Sequence, residues 1–191
     1  MSGERREVTI LMTDLRGFTS IFEHVSPQKT IQVLNRYFDE MTAVIASFDG
    51  TLIEFIGDAI LAIFGAPQAQ EDHAERAAAC ALAMQSKMPH INQESHAQGL
   101  PEIAMGIGVH TGEVVAGNIG ASRLAKFGVI GKEMRVASRI ESLTVGGQIL
   151  ISGQTLQKAP QALVAESLTE IEIKGFPDKF RIYELLEVRA R

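Results

Sequence analysis

Residues 26–48 hold the longest regular pattern in this sequence, and it dictates a helix that must lie against something flat. Ile31, Leu34, Phe38, Met41 and Ile45 recur at steps of three and four residues, which gathers them on one face of a 3.6-residue period. Ser26 followed by Pro27 is a start signal, because a serine oxygen takes up a free amide of the first turn and proline there forfeits no bond. The helix is expected to end near Phe48-Asp49-Gly50. The apolar runs on either side have strand length. Residues 7–12 include β-branched Val8, Thr9 and Ile10, and residues 51–56 and 59–64 flank Gly57-Asp58 as a hairpin whose tight turn displays Asp58.

The remaining sequence alternates in the same way. Asp72 is placed to cap a second helix, with Glu75 set for a capping box and an alanine-rich body running to about residue 88. Residues 86–101 are polar and read as a connector. Residues 103–110 and 113–119 read as another hairpin around Thr111-Gly112. Residues 127–131, a helix over 132–143, a strand over 148–152 and two strands over 169–174 and 180–186 complete the order. Such strands and amphipathic helices imply an α+β, ferredoxin-like domain, a mainly antiparallel sheet with helices packed on one face.

At 191 residues the chain fits one domain with a real core and no need of disulfide staples. A formal net charge of −5 argues against nucleic acid as a partner. The longest apolar runs, such as residues 59–64, are strand-sized and too short to cross a membrane. The lone Cys80 lies in an alanine-rich stretch, so it is expected to be a buried structural thiol in a reducing, cytoplasmic setting. Residues 1–6 carry no apolar signal core, so secretion is not indicated.

Two aspartates stand where an apolar run meets a turn-forming glycine: Asp14 in Thr13-Asp14-Leu15-Arg16-Gly17-Phe18-Thr19, and Asp58 in Phe55-Ile56-Gly57-Asp58-Ala59. Singly, each reads as a turn cap. Together they suggest a site for a hard divalent cation, which needs only one or two carboxylates plus substrate phosphates and water. Read with Gly108-Val109-His110-Thr111-Gly112-Glu113, Gly117-Asn118-Ile119-Gly120 and Val136-Ala137-Ser138-Arg139-Ile140-Glu141-Ser142, these segments resemble the catalytic domain of the class III nucleotidyl cyclases over about residues 7–186.

The resemblance implies an enzyme that converts GTP or ATP to a 3′,5′-cyclic nucleotide and pyrophosphate, with active sites at the interface of a homodimer. It implies that Asp14, Asp58 and the Leu15 carbonyl hold two Mg²⁺ or Mn²⁺ ions. Backbone amides of Arg16, Gly17, Phe18 and Thr19 would cradle phosphate oxygens, with Arg123 and Lys174 as further triphosphate ligands. Arg139 would meet charge developing on the α-phosphate. The base would meet Glu54 and Gly128. A carboxylate at position 54 complements the ring N–H and exocyclic amine of guanine, so GTP is the expected substrate. Arg135 stands where the family has asparagine, and could either add charge near the triphosphate or misplace the ribose. Two other readings stay open: an adenylate cyclase with a relaxed base pocket, and a weakly active module that signals by binding nucleotide and dimerising. The family also implies that this domain is a fragment of a longer regulated protein. His110, expected at a hairpin turn, and His73, expected in a helix cap, read as structural.

Overall fold

The computed structural model of the protein describes residues 3–121 and 123–189. Strand β1 (Glu4–Leu15) leads through a one-turn helix α1 (Phe18–Phe22) into α2 (Pro27–Ser47). The hairpin β2 (Thr51–Ile56) and β3 (Ala59–Phe64) follows, then α3 (His73–Ala97), β4 (Met105–Ala121), β5 (Leu124–Ile130) and α4 (Glu133–Ser142). The chain continues through β6 (Ile149–Ser152), α5 (Gly153–Lys158), β7 (Leu163–Ile171) and β8 (Phe180–Val188). The strands form one sheet in the order β2-β3-β1-β4-β6-β8-β7, with β5 paired to the far half of β4. Its pairs are antiparallel except β4 with β6.

The helix forms where its spacing requires, but its buried face is turned from the expected one: Val33, Tyr37, Met41, Val44 and Ile45 are buried, Leu34 and Phe38 lie partly buried beside them, and Ile31 is exposed. Ser26 Oγ accepts from the Lys29 amide and Pro27 opens the helix. Tyr37, Met41 and Ile45 are buried with Leu11, Ile60, Ala62, Phe64, Ile107 and Val109 from the sheet and with Ala77, Ala81 and Met84 from α3. Alternate residues of the same strands point the other way, as the period of two demands. Val8, Ile10, Leu61 and Ile63 meet Ala137 of α4, and Ile53, Phe127 and Val129 pack against that cluster. Helices therefore cover both faces of the sheet, not one: α2 and α3 on the first, α4 on the second. Cys80 is buried in the first core, and burial pushes its thiol up to about 12.

Three expectations are corrected by tertiary context. Thr111-Gly112 is not a turn. β4 runs unbroken through it, with Thr111 opposite Thr9 and Gly112 opposite Val8. The glycines of this strand serve α4: a Cβ on Gly112 would lie 2.8 Å from Glu133 Cγ, and one on Gly108 would overlap the Glu141 backbone. The reversal comes instead between Ala121 and Leu124, which pair across it. The polar connector is helical, because Met88, Ile91 and Ser95 continue the buried stripe of α3 past Pro89. The strand expected at 169–174 is the end of β7, and Lys174 lies beyond it. Finally, α1 and α5 are too short to announce themselves by periodicity.

Helix α4 can approach β4 only over bare backbone. Gly108→Ala should therefore cost at least about 2 kcal/mol, as overpacking does. Gly153→Ala, whose Cβ would meet only ordinary contacts at 3.6 Å, should cost less than about 0.5 kcal/mol. Urea unfolding of the two variants measures the difference.

Candidate active site

The two aspartates converge because neighbouring strands deliver them. Asp14 is the penultimate residue of β1, opposite Gly106 of β4, while Asp58 sits in the β2–β3 turn. That turn is tight enough to need a left-handed backbone at Gly57, φ 63°, which glycine adopts without steric cost. Asp58 Oδ2 accepts from the Leu15 amide at 3.0 Å, so the turn is fastened to the end of β1. Burial pushes the Asp14 carboxyl up to about 6, and the facing Asp58 carboxylate adds to the rise, while Arg16 opposes it.

Two carboxylates held together against their own repulsion are the donor set of a hard cation. Among the described residues no further Asp, Glu, His or Cys joins them. Remaining ligands would be backbone carbonyls, water or substrate oxygens, which suits Mg²⁺ or Mn²⁺ better than zinc.

Arg16, which the sequence pointed to only for its amide, and several residues it did not single out complete the surroundings. Arg16 lies 3.6 Å from Asp14 Oδ2 and forms an ion pair with Glu141 of α4. Its amide donates to the Ala104 carbonyl at 2.7 Å. Beneath the aspartates, Thr13 Oγ1 lies 3.0 Å from the Tyr37 hydroxyl, which donates to Met105 Sδ at 3.1 Å. Burial holds the Tyr37 phenol well above its ordinary range, so it stays neutral beside the carboxylates. Next along the chain, Gly17 is left-handed, φ 65°, and forms the N-cap of α1. The amides of Gly17, Phe18 and Thr19 thus lie at the N-terminal end of α1, whereas the Arg16 amide, expected with them at the phosphates, is taken by the Ala104 carbonyl.

Glu54, exposed on β2, is not alone. Lys126 of β5 donates to its Oε1 at 2.5 Å. Two strands remote in sequence meet because the β4–β5 ribbon folds over the α4 face of the sheet, where Phe127 and Val129 pack near Ile53. Gly128 is buried in this ribbon opposite Gly117. A Cβ there would come within 3.2 Å of Ile119 Cδ1, so an aliphatic tip, not open space, borders it. No residue-type pattern flagged Lys126; only its place two residues before Gly128 on the same strand could have raised it.

The cations are distributed over three elements. Arg135 and Arg139 share the exposed face of α4, opposite buried Val136, Ala137 and Ile140. Arg135 leans toward the β7–β8 connection: a Cβ on Gly175 would lie 3.2 Å from its Nη2. That places it beside the segment carrying Lys174. Arg123 is exposed at the tip of the β4–β5 ribbon. Among the described residues, neither Arg123 nor Lys174 makes a side-chain hydrogen bond or ion pair, and a single copy of the chain does not link them to the aspartates. Glu54 and Asp58, four residues apart on one hairpin, likewise have no bridging contact among the described residues.

The profile described as "Adenylate and Guanylate cyclase catalytic domain" matches residues 2–187. Adenylate cyclase 1 of Rhizobium meliloti (strain 1021) is 37% identical over 186 residues, 96% of this chain and 28% of that protein. The chain thus spans less than a third of that relative's length. Among solved structures, the guanylyl cyclase Cya2 superposes with a TM-score of 0.95 at 45% identity, covering 99% of this chain and 96% of that one. The adenylyl cyclase CyaB from P. aeruginosa gives 0.93 at 31%, covering 99% and 98%.

The Asp14–Asp58 pair makes stability depend on pH and on cations. Free aspartate titrates near 3.8 and Asp14 near 6, so the folded chain binds the extra proton between those values. Without divalent ions, this group's contribution to stability is therefore lost as pH rises from about 4 to 6. Asp14→Asn should flatten that fall in pH-dependent thermal melts. Mn²⁺ at pH 7.5 should raise the melting temperature of the unaltered domain and leave the Asn variant unmoved.

Proposed function

Because the chain belongs to the adenylate and guanylate cyclase catalytic domain family, and is thus a nucleotidyl cyclase domain, we propose that it converts GTP to 3′,5′-cyclic GMP and pyrophosphate at sites shared by two copies. The single observation that carries the choice of base is the Glu54–Lys126 pair. Guanine offers two adjacent donors, the ring N–H and the exocyclic amine, next to an acceptor oxygen. A carboxylate with an ammonium beside it is the complement of that edge. Adenine offers the reverse, an acceptor next to a donor, and would leave Glu54 facing a lone pair. The 45% identity to a guanylyl cyclase supports the same reading.

The roles given to the side chains are those that the family resemblance implies. Asp14 and Asp58, with the Leu15 carbonyl, would hold two Mg²⁺ or Mn²⁺ ions, which when bound acidify the ribose 3′-hydroxyl and neutralise the leaving pyrophosphate. The amides of Gly17, Phe18 and Thr19 bind phosphate oxygens, as a turn of successive N–H groups does. The 3′-oxygen, its proton passing to water, forms its bond to the α-phosphorus as the bond to the β-phosphate oxygen breaks. Arg139 meets the charge that builds on the α-phosphate in between, a role for a permanently charged planar fork. Arg123 and Lys174 hold the triphosphate. Arg135, which leans toward the Lys174 segment, adds charge there instead of orienting the ribose. A second copy supplies what one lacks, and exposed Ile56, Leu124 and Ile130 give the apolar surface such pairing needs.

ATP is the second reading, favoured by the relative named adenylate cyclase at 37% identity. With Mn²⁺ and equal GTP or ATP, the purified domain should form cyclic GMP at least about tenfold faster than cyclic AMP, a gap of about 1.4 kcal/mol in the barrier. A preference for ATP, read by chromatography of the products, reverses the assignment of Glu54.

Sharing of sites has its own test. Glu54→Ala and Asp58→Ala should each be nearly inactive alone, the second by a hundredfold or more, as when a focused electrostatic group is lost (roughly 10²–10³). Mixing them should restore activity toward the level of one intact site per dimer. Mixed dimers no more active than either parent would show that one copy carries the whole site.

A further inference from the structure

A chain of buried hydroxyls crosses the sheet between two histidines, far in sequence from the aspartates. His73 Nδ1 lies 2.7 Å from Thr9 Oγ1, which lies 2.8 Å from Thr111 Oγ1. Thr111 donates to Thr155 Oγ1 at 3.0 Å, and Thr155 lies 3.1 Å from Ser152 Oγ. Ser152 Oγ is 2.8 Å from His110 Nδ1, and His110 Nε2 is 2.7 Å from Glu133 Oε2. Every member except Glu133 is at most 4% exposed.

Each hydroxyl has one proton, so donor counting fixes the direction. Thr111 gives its proton to Thr155, so the proton between Thr9 and Thr111 comes from Thr9. Thr9 must then accept from His73 Nδ1–H. Thr155 in turn donates to Ser152, and Ser152 donates to His110 Nδ1. His110 is left with its proton on Nε2, aimed at the Glu133 carboxylate. Burial pushes His73 below its usual value, with Glu7 opposing, so the ring at the other end favours its neutral form.

Glu133 is the first residue of α4, the helix that carries Arg135 and Arg139. The far end of that helix is tied through Glu141 to Arg16. His110 also meets the edge of Phe180, which packs on Phe176, and Lys132 sits 4.6 Å above the Phe176 ring. The segment carrying Lys174 therefore rests on the same anchor. His110, Lys132, Glu133, Phe176 and Phe180 line a cleft of about 560 Å³ together with Glu7, Lys158, Asp178 and Lys179.

We propose that His110 is a positioning residue for the cyclase reaction, acting through Glu133 to fix the register of α4 and hence of Arg139, with its tautomer set by the hydroxyl chain from His73. This rests on the cyclase activity for its kinetic consequence but not for its structural one. Asparagine at 110 keeps a group near Ser152 and loses the reach to Glu133. Glutamine reaches Glu133.

The test uses the same domain in dimeric form. His110→Asn should lower kcat with GTP roughly 10- to 100-fold, the scale of a small misplacement of a catalytic group, with KM changed less than about threefold. His110→Gln should recover most of the loss. Backbone amides of residues 133–142 should exchange with deuterium at least about tenfold faster in the Asn variant, a scale set by local opening, with those of α2 unchanged. In the unaltered domain, imidazole ¹⁵N shifts should report a bare Nδ1 on His110, and Ser152→Ala should convert it to a tautomer mixture. Unchanged exchange in α4, an Nδ1–H tautomer, or a loss confined to KM would each overturn the proposal. Should the unaltered domain form no cyclic nucleotide from either triphosphate, the functional reading fails, while exchange and tautomer still decide whether His110 holds α4.

Discussion

The close approach of α4 to β4 is the contact on which the rest of the structure depends. Side chains at Gly108 and Gly112 would collide with the helix, so bare backbone there sets how deep α4 sits. That depth decides where Arg135 and Arg139 emerge, and whether Glu141 can reach Arg16 beside Asp14. Apolar burial under Val136, Ala137 and Ile140 supplies the adhesion, but burial is not directional. Register comes from the charged ends, where Glu133 meets His110 and Glu141 meets Arg16.

The aspartate pair illustrates the opposite economy. Burial and mutual repulsion make Asp14 reluctant to ionise, which is costly for stability. The same field that disfavours two charges favours a cation between them. Thr13, Tyr37 and Met105 form a neutral floor under the pair, so no fixed positive charge below competes with a metal. Arg16 is the nearest cation, and its ion pair with Glu141 draws it toward α4.

Much of this was legible in the residues. α2, the β2–β3 hairpin, α4 and β6 follow from periodicity and turn chemistry, and Asp14 with Asp58 stood out as strand-end carboxylates. What failed to show had a common cause. Gly112 looked like a turn because glycine marks turns, yet its reason is a helix packed on the strand. The polar stretch after residue 86 looked like a connector because its few apolar residues, Met88 and Ile91, serve a stripe visible only once α3 is seen against the sheet. Lys126, Arg16 and the hydroxyls of Thr9, Thr111, Ser152 and Thr155 are ordinary residue types. Their significance is proximity.

The sequence by itself determined the local elements, the place of Asp14 and Asp58 at strand ends, and the family, because these rest on periods and motifs spanning a few adjacent residues. Only the tertiary structure decided that helices cover both faces, that Glu54 is paired with Lys126, and that His110 is joined to His73 through four hydroxyls. Each of these brings together side chains separated by tens of residues. Such contacts are fixed by how strands order in the sheet and how closely a helix can approach it, quantities that no local pattern encodes.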